Sequence, residues 1–169
     1  ELKKNINQEI GLPVVDESPA QRQTAERFLG ALTETLDRIS IQNIAETKEN
    51  IAKGREAYAD DSKELTKMDN LEEVINAIAS LKDKKDEQDR KKIINKLAKT
   101  SVYKIADARN FRRYSGYLEV AINQLEEVVH NLAQAEFPKD WEKQQEYRDQ
   151  DKANEIREMI EKSKGIVVS

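Results

Sequence analysis

The chain contains no cysteine, only three prolines and five glycines among its 169 residues, and one histidine. Without cysteine it has no disulfide, no thiolate nucleophile and no cysteine-ligated zinc or iron–sulfur centre. No apolar run approaches the roughly 18 residues of a transmembrane segment, so a soluble protein is expected. The composition leaves the compartment open: it suits a cytoplasmic protein and an exported protein whose targeting segment has been removed.

The scarcity of helix-breaking residues leaves long stretches with helical periodicity. Between Pro19 and Gly165 there is one further proline, Pro138. Apolar residues recur at three- and four-residue steps, as from Phe28 to Ile39, and this spacing places them on one stripe of an α-helix. We therefore predict an all-α protein, built as an antiparallel helical bundle of four to five main helices.

The chain is predicted to divide into three parts. An early glycine and proline argue against a long helix at the start, so 1–17 is predicted to be an irregular N-terminal segment. A single helical-bundle domain is predicted over 18–165. Gly165 is a typical helix stop, and an extended tail is predicted for 166–169.

A shift in the phase of the apolar stripe predicts a bend or a change of packing partner within the first helix. One helix is predicted from about Pro19 to about Ala59, with a bend or a change of packing partner near Ser40. Asp69 followed by Glu72 is typical of a capping box and predicts the start of the next helix.

The strongest core helix is predicted from Phe111 to Leu132, where one apolar stripe continues for six turns. Val102 and Ile105 fall on the opposite side of that cylinder, so a break is predicted near 107–110. This helix is expected to supply much of the core.

The last helix, predicted from Trp141 to about Lys164, is unusually polar. Such a helix contributes little to a core. It is expected either to project from the bundle towards a partner or to pack by Ile156, Met159 and Ile160 alone.

The largest charge asymmetry is the basic segment 82–113, with twelve Lys or Arg and five acids, which is +7 in a chain of net charge −4. One interpretation is a nucleic-acid surface, since cations that neutralise phosphates release counterions. α-Helical spacing would place its three last arginines on one side. The other interpretation is a solvated face that pairs with the acidic remainder of the bundle.

Candidate contacts for nucleic acid or a partner are Lys91, Lys92, Arg109, Arg112 and Arg113. Four of the nine aromatic residues lie in or just beyond the segment: Tyr103, Phe111, Tyr114 and Tyr117.

Catalytic motifs are not evident. Glu127 and His130 form one Glu-x-x-His, which is half of the di-iron carboxylate pattern, but a second histidine is lacking. There is neither a phosphate-binding glycine loop nor a nucleophile elbow. We assign no catalytic, cofactor or metal residue and expect no enzyme, while carboxylate-only binding of magnesium or manganese stays open.

Trp141, at the start of the polar last helix, has two interpretations. It is either an anchor for a partner, a role in which tryptophan is enriched, or a plug at the end of the bundle. With a patterned core and no catalytic constellation, the leading hypothesis is a non-catalytic interaction protein: a subunit, adaptor or surface-binding module with a protein partner. The alternative is a nucleic-acid-binding helical subunit that uses the basic segment.

Overall fold

The computed structural model describes residues 18–168, apart from the side chains of 112 and 165–168. The predicted all-α class is confirmed. The predicted irregular segment 1–17 lies outside the described residues. Within the described range there are seven α-helices: α1 Ser18–Arg38, α2 Ile41–Ala57, α3 Ser62–Asp83, α4 Glu87–Thr100, α5 Val102–Ala108, α6 Glu119–Glu136 and α7 Pro138–Val168. Two 3₁₀ turns, Arg109–Tyr114 and Gly116–Leu118, join α5 to α6.

The prediction of one helix from Pro19 to Ala59 is wrong, because the phase shift near Ser40 is a break between α1 and α2. Ser40 has an extended backbone, and its hydroxyl accepts a hydrogen bond from the Asn43 amide at 3.0 Å. The Asn43 side chain accepts in return from the Ser40 amide, also at 3.0 Å. This reciprocal capping box satisfies two amides that the start of a helix would otherwise leave unpaired, and it redirects the chain.

The predicted start of a helix at Asp69 is wrong, because α3 begins two turns earlier. Asp61 caps α3 by accepting a hydrogen bond from the Glu64 amide at 3.2 Å. Asp69 and Glu72 instead form ion pairs with Arg55 of α2. Two acidic residues three positions apart can cap the start of a helix or lie together on one exposed helix face. Here they lie on one face, where both pair with Arg55.

The core lies where α1 packs antiparallel on α6, with α3 packed against both α2 and α5. Near the start of α1, the Gln21 side-chain amide donates to Oε1 of Gln134, near the end of α6, at 2.5 Å. Helix α4 also packs on α6. The largest fully buried side chains are Leu32, Leu36, Ile51, Met68, Leu71, Ile75, Ile78, Leu81, Ile94, Ile105, Phe111 and Leu118.

The predicted break near 107–110 is confirmed, since α5 ends at Ala108. The prediction that the core helix starts at Phe111 is wrong, because α6 begins only at Glu119. Phe111 leaves helical geometry, with φ −119° and ψ 21°, and Gly116 has a φ of +54°, which an L residue rarely adopts. Phe111 is nevertheless buried, as its place in the stripe predicted.

A contact from α2 helps to hold these turns. The buried Thr47 hydroxyl lies 2.8 Å from the Asn43 carbonyl oxygen in its own helix and 3.0 Å from that of Ser115. This contact joins positions 68 residues apart in the chain. Local periodicity therefore could not locate the end of the 3₁₀ segment.

The final helix is longer than predicted. The backbone of α7 continues through Gly165 to Val168, so the extended tail predicted at 166–169 is wrong over 166–168, and Ser169 lies outside the described residues. A glycine disfavours a helix by only about 1 kcal/mol and ends it only where the chain takes a left-handed turn. Among the helices of residues 18–168, none has both the length and the hydropathy to cross a membrane.

Candidate functional site

The two candidate lysines of the basic segment lie side by side on α4. Lys91 is half-buried, and its Nζ lies 3.4 Å from Oε1 of Glu87, one turn earlier. Lys92 is exposed. Lys92 therefore presents its charge to solvent, while that of Lys91 is partly neutralised within its own helix.

The candidate arginines lie on the 3₁₀ segment, and those that are described have separate partners. Nε of Arg109 lies 3.1 Å from Oε2 of Glu126 on α6. Arg113 donates to the Tyr58 hydroxyl at 2.5 Å, and its guanidinium carbon is 5.1 Å from the centre of the Tyr114 ring. The α-helical geometry from which a joint patch was predicted is wrong for this segment.

The candidate Arg112 has a side chain outside the described residues. Three further cations of the segment make contacts within the bundle. Lys82 donates to the Leu36 carbonyl at 2.9 Å, and Arg90 donates to the Leu81 carbonyl at 3.0 Å. Lys104 lies 3.2 Å from Glu73. Part of the basic charge is therefore used within the bundle, at two backbone carbonyls and in ion pairs of Lys104 and Arg109 with acids outside the segment.

The aromatic residues of the segment are mostly not free to stack on a base. Phe111 is buried, and Tyr114 is half-buried against the core. The ring centre of Tyr103 is 5.7 Å from that of Tyr147 on α7. Tyr117 is the exception, with 77% of its surface exposed.

The Glu127–His130 half-motif lies where α6 approaches α7. The His130 ring is half-buried and meets the edge of the Trp141 indole, with ring centres 5.8 Å apart. Burial lowers the pKa of His130, and Arg148 and Arg109 add to the effect, while Glu127 opposes it. In the part of the chain that is described, no three His, Asp or Glu side chains are grouped to hold a metal ion.

Trp141 is half-buried and packs against the core. Its indole Nε1 is buried and has no hydrogen-bond acceptor among the described residues. This placement favours the plug interpretation over the partner anchor, because the ring is already engaged by His130 and the core.

The far half of α7 has its charged side towards the bundle. Glu158 forms an ion pair with Lys63 of α3, and Glu155 lies 3.5 Å from Lys67. Roughly a quarter turn away from Glu155 lies the α7 stripe, formed by Ile156, Met159 and Ile160. These three side chains are 53%, 66% and 50% exposed. The alternative that this helix packs by these three residues is therefore wrong, and its far half contacts α3 through its acidic side instead.

A groove separates α1 from α4 and is called here the α1/α4 groove. Its main part has a volume of about 750 Å³, and a smaller part of about 160 Å³ continues it towards α6. Glu26, Leu29 and Lys91 line both parts, which makes them continuous. The main part is also lined by Gly30, Glu34 and Arg90, and the smaller part is also lined by Ala25, Ile94, Val128 and Leu132.

Sequence reasoning missed the α1/α4 groove. A possible signal was Gly30, a glycine inside a helix that is otherwise rich in good helix formers. Neither models of protein families, nor curated proteins, nor solved structures gave a match to this chain.

Proposed function

We propose that this chain is a non-catalytic helical interaction protein, acting as a subunit, adaptor or surface-binding module, and that the α7 stripe contacts its protein partner. One observation carries this proposal. Ile156, Met159 and Ile160 are spaced i, i+3, i+4 on one helix face, and each is at least half exposed. This is the anchor spacing with which amphipathic helices enter the grooves of their partners.

The stripe is large enough to contribute to binding. Burying an isoleucine or methionine side chain completely contributes about 1.5–3 kcal/mol, and half of that surface is still available here. Three such anchors supply about 2–5 kcal/mol towards the cost of association. A micromolar complex would need further contacts around the stripe, for which the flanking charges are suited.

The attachment of α7 to the bundle also favours a partner. Its far half contacts α3 through Lys63–Glu158 and Lys67–Glu155. The first pair is exposed and the second is half-buried, and ion pairs at a protein surface contribute only about 0–1 kcal/mol each. A partner that covered the stripe would add apolar burial, which this half of the helix lacks within its own chain.

Photo-crosslinking tests the proposal. A benzophenone amino acid replaces Met159, and in a matched control it replaces Ile41, which is 80% exposed on α2. We expect a defined protein adduct from position 159 only, lost when Ile156→Asp is added. The partner, identified by mass spectrometry and purified, should bind the unmodified chain in calorimetry and bind the Ile156→Asp variant at least about tenfold more weakly. Equal crosslinking from both positions would contradict the proposal.

Nucleic-acid binding through the basic segment is a second candidate, favoured by its charge of +7 and by the exposed ring of Tyr117. Binding should weaken steeply as salt rises, because it releases counterions. Labelled single- and double-stranded nucleic acid would be titrated at two salt concentrations with the unmodified chain and with Lys92→Glu/Arg113→Glu. Lys48→Glu, on exposed α2 surface, is the control. No binding at low salt would exclude this candidate. The proposed contacts are Lys91, Lys92, Arg109, Arg112 and Arg113.

A further inference from the structure

We infer that the α7 stripe of one molecule docks in the α1/α4 groove of a second copy of the same chain. The inference rests on the proposed function, because it uses the same stripe and names its partner. The chain offers both halves of a helix-in-groove contact. One half is an exposed apolar helix face, and the other is a groove between two helices that both pack on α6.

The smaller part of the groove has an apolar floor, in which Leu29 and Leu132 keep exposed surface while the other apolar residues are buried by the chain's own packing. Ala25 and Leu29 line it from α1, and Ile94 lines it from α4. Val128 and Leu132 of α6 close the bottom. Its apolar positions on α1 are four residues apart, or about 6 Å along the helix, which equals the rise from Ile156 to Ile160.

Gly30 marks the place where a second helix would come closest. It lines the groove inside α1, and a Cβ built there meets nothing within 4 Å. The packing of the chain itself therefore does not require glycine, although glycine disfavours the helix by about 1 kcal/mol relative to alanine. Close approach of another backbone is a common reason for glycine at such a position.

The acidic side of the groove matches the basic side of the stripe. Glu26 and Glu34 line the α1 side of the groove, whereas the α4 side is lined by Lys85, Arg90 and Lys91 and by the carboxylate of Glu87, which pairs with Lys91. Opposite charges placed in this way select one of the two orientations of a docked helix.

On α7, the helical spacing places Arg157 and Lys164 to one side of the stripe. On the other side, Glu155 and Glu158 are already paired with lysines of α3 in their own chain, and Lys162 lies between them. One orientation of α7 sets the basic side of the stripe beside the acidic α1 wall. A second copy therefore supplies apolar anchors together with two cations for that wall.

The contact has to form between molecules. In its own chain the far half of α7 is paired with α3 through Lys63 and Lys67, and its stripe is exposed there. Each copy therefore offers one stripe and one groove. Reciprocal docking would close a dimer, whereas one-way docking would extend head to tail.

Sedimentation velocity over a wide range of concentration tests this inference with the full chain. We expect a concentration-dependent species of at least twice the monomer mass. Ile156→Asp/Ile160→Asp removes the stripe, and Gly30→Leu places a large side chain in the groove at a position where a Cβ meets no atom within 4 Å. Each should weaken association at least about tenfold, equivalent to about 1.4 kcal/mol. Ile41→Asp, on a different exposed surface, should have no effect. Circular dichroism checks that every variant remains folded.

Mixing the two disabled variants is the most specific test. The stripe variant retains a groove and the Gly30→Leu variant retains a stripe, so the mixture should form a one-to-one pair that neither variant forms alone. A monomer at every concentration, or association unchanged by Gly30→Leu, would overturn the inference. If the chain is monomeric and position 159 still crosslinks to a different protein, only this inference fails. Absence of both would also end the proposed function.

Discussion

Helices α6 and α7 follow one another through Phe137, yet they make opposite use of their apolar residues. Helix α6 buries seven side chains in 18 residues, whereas none of the side chains described on the longer α7 is buried. Both carry apolar residues at helical spacing. The difference shows that a stripe becomes core only where other helices cover it along its length.

The largest expected effect is the difference in unfolding free energy between a side-chain truncation on α6 and one on α7. Leu125→Ala on α6 should reduce the free energy of unfolding by about 2–5 kcal/mol, because Leu125 is fully buried and its loss leaves a cavity. Ile156→Ala on α7 should change it by no more than about 0.5 kcal/mol. Urea unfolding of both variants measures the difference. A similar loss in both would mean that α7 packs into the core.

Two glycines differ in the same way, because Gly54 lies in a packed interface and Gly30 lies in open space. A Cβ at Gly54 would lie 2.6 Å from Cε of Met68 and 3.0 Å from Cε1 of Tyr114, so Gly54→Ala should destabilise the fold by about 1–3 kcal/mol. Gly30→Ala meets open space and should stabilise α1 by up to about 1 kcal/mol. Thermal and urea unfolding would show shifts in opposite directions. Equal losses would mean that the groove is closed in solution.

Removing the far half of α7 tests how much this part of the helix contributes to the free energy of unfolding. A chain ending at Lys152 loses the ion pairs to Lys63 and Lys67 but no buried side chain. Its free energy of unfolding should therefore fall by about 1 kcal/mol or less per pair, with the helical signal reduced in proportion to the residues removed. A loss as large as that of Leu125→Ala would be inconsistent with a projecting helix.

The smallest effect concerns pH at the junction of the two helices. Burial lowers the pKa of His130 below its ordinary value of 6.5, so the folded state favours the neutral ring. The unfolded state then binds the proton first, because its pKa is the higher one. Stability should be complete above pH 6.5 and should decrease as pH falls from there towards the folded-state pKa.

His130→Gln is the matched variant, since an amide retains polarity without titrating in this range. It should lack the part of the pH dependence that lies just below 6.5. Urea midpoints measured on both sides of that value, for both proteins, check this. Identical pH profiles would show that His130 is equally solvated in the folded and unfolded states.

Several features could be predicted because they depend on near neighbours in the chain. The phase shift at Ser40 marked the place where the chain changes direction, although two helices lie where one was predicted, and Phe111 was correctly placed in the core by its spacing. The start of α3 was misplaced because Asp69 and Glu72 resemble a cap, while their actual partner, Arg55, lies 14 and 17 residues away. The candidate arginines were grouped into one patch by assuming α-helical spacing, but the segment Arg109–Tyr114 is a 3₁₀ turn.

The sequence by itself determined that the chain is all-α and which face of each helix is apolar, because spacing along a helix depends only on local geometry. The tertiary structure alone decided which faces are covered. It buries the stripe of α6, leaves that of α7 exposed and opens a groove beside Gly30. Those outcomes depend on which distant helices meet, and packing across the whole bundle decides that.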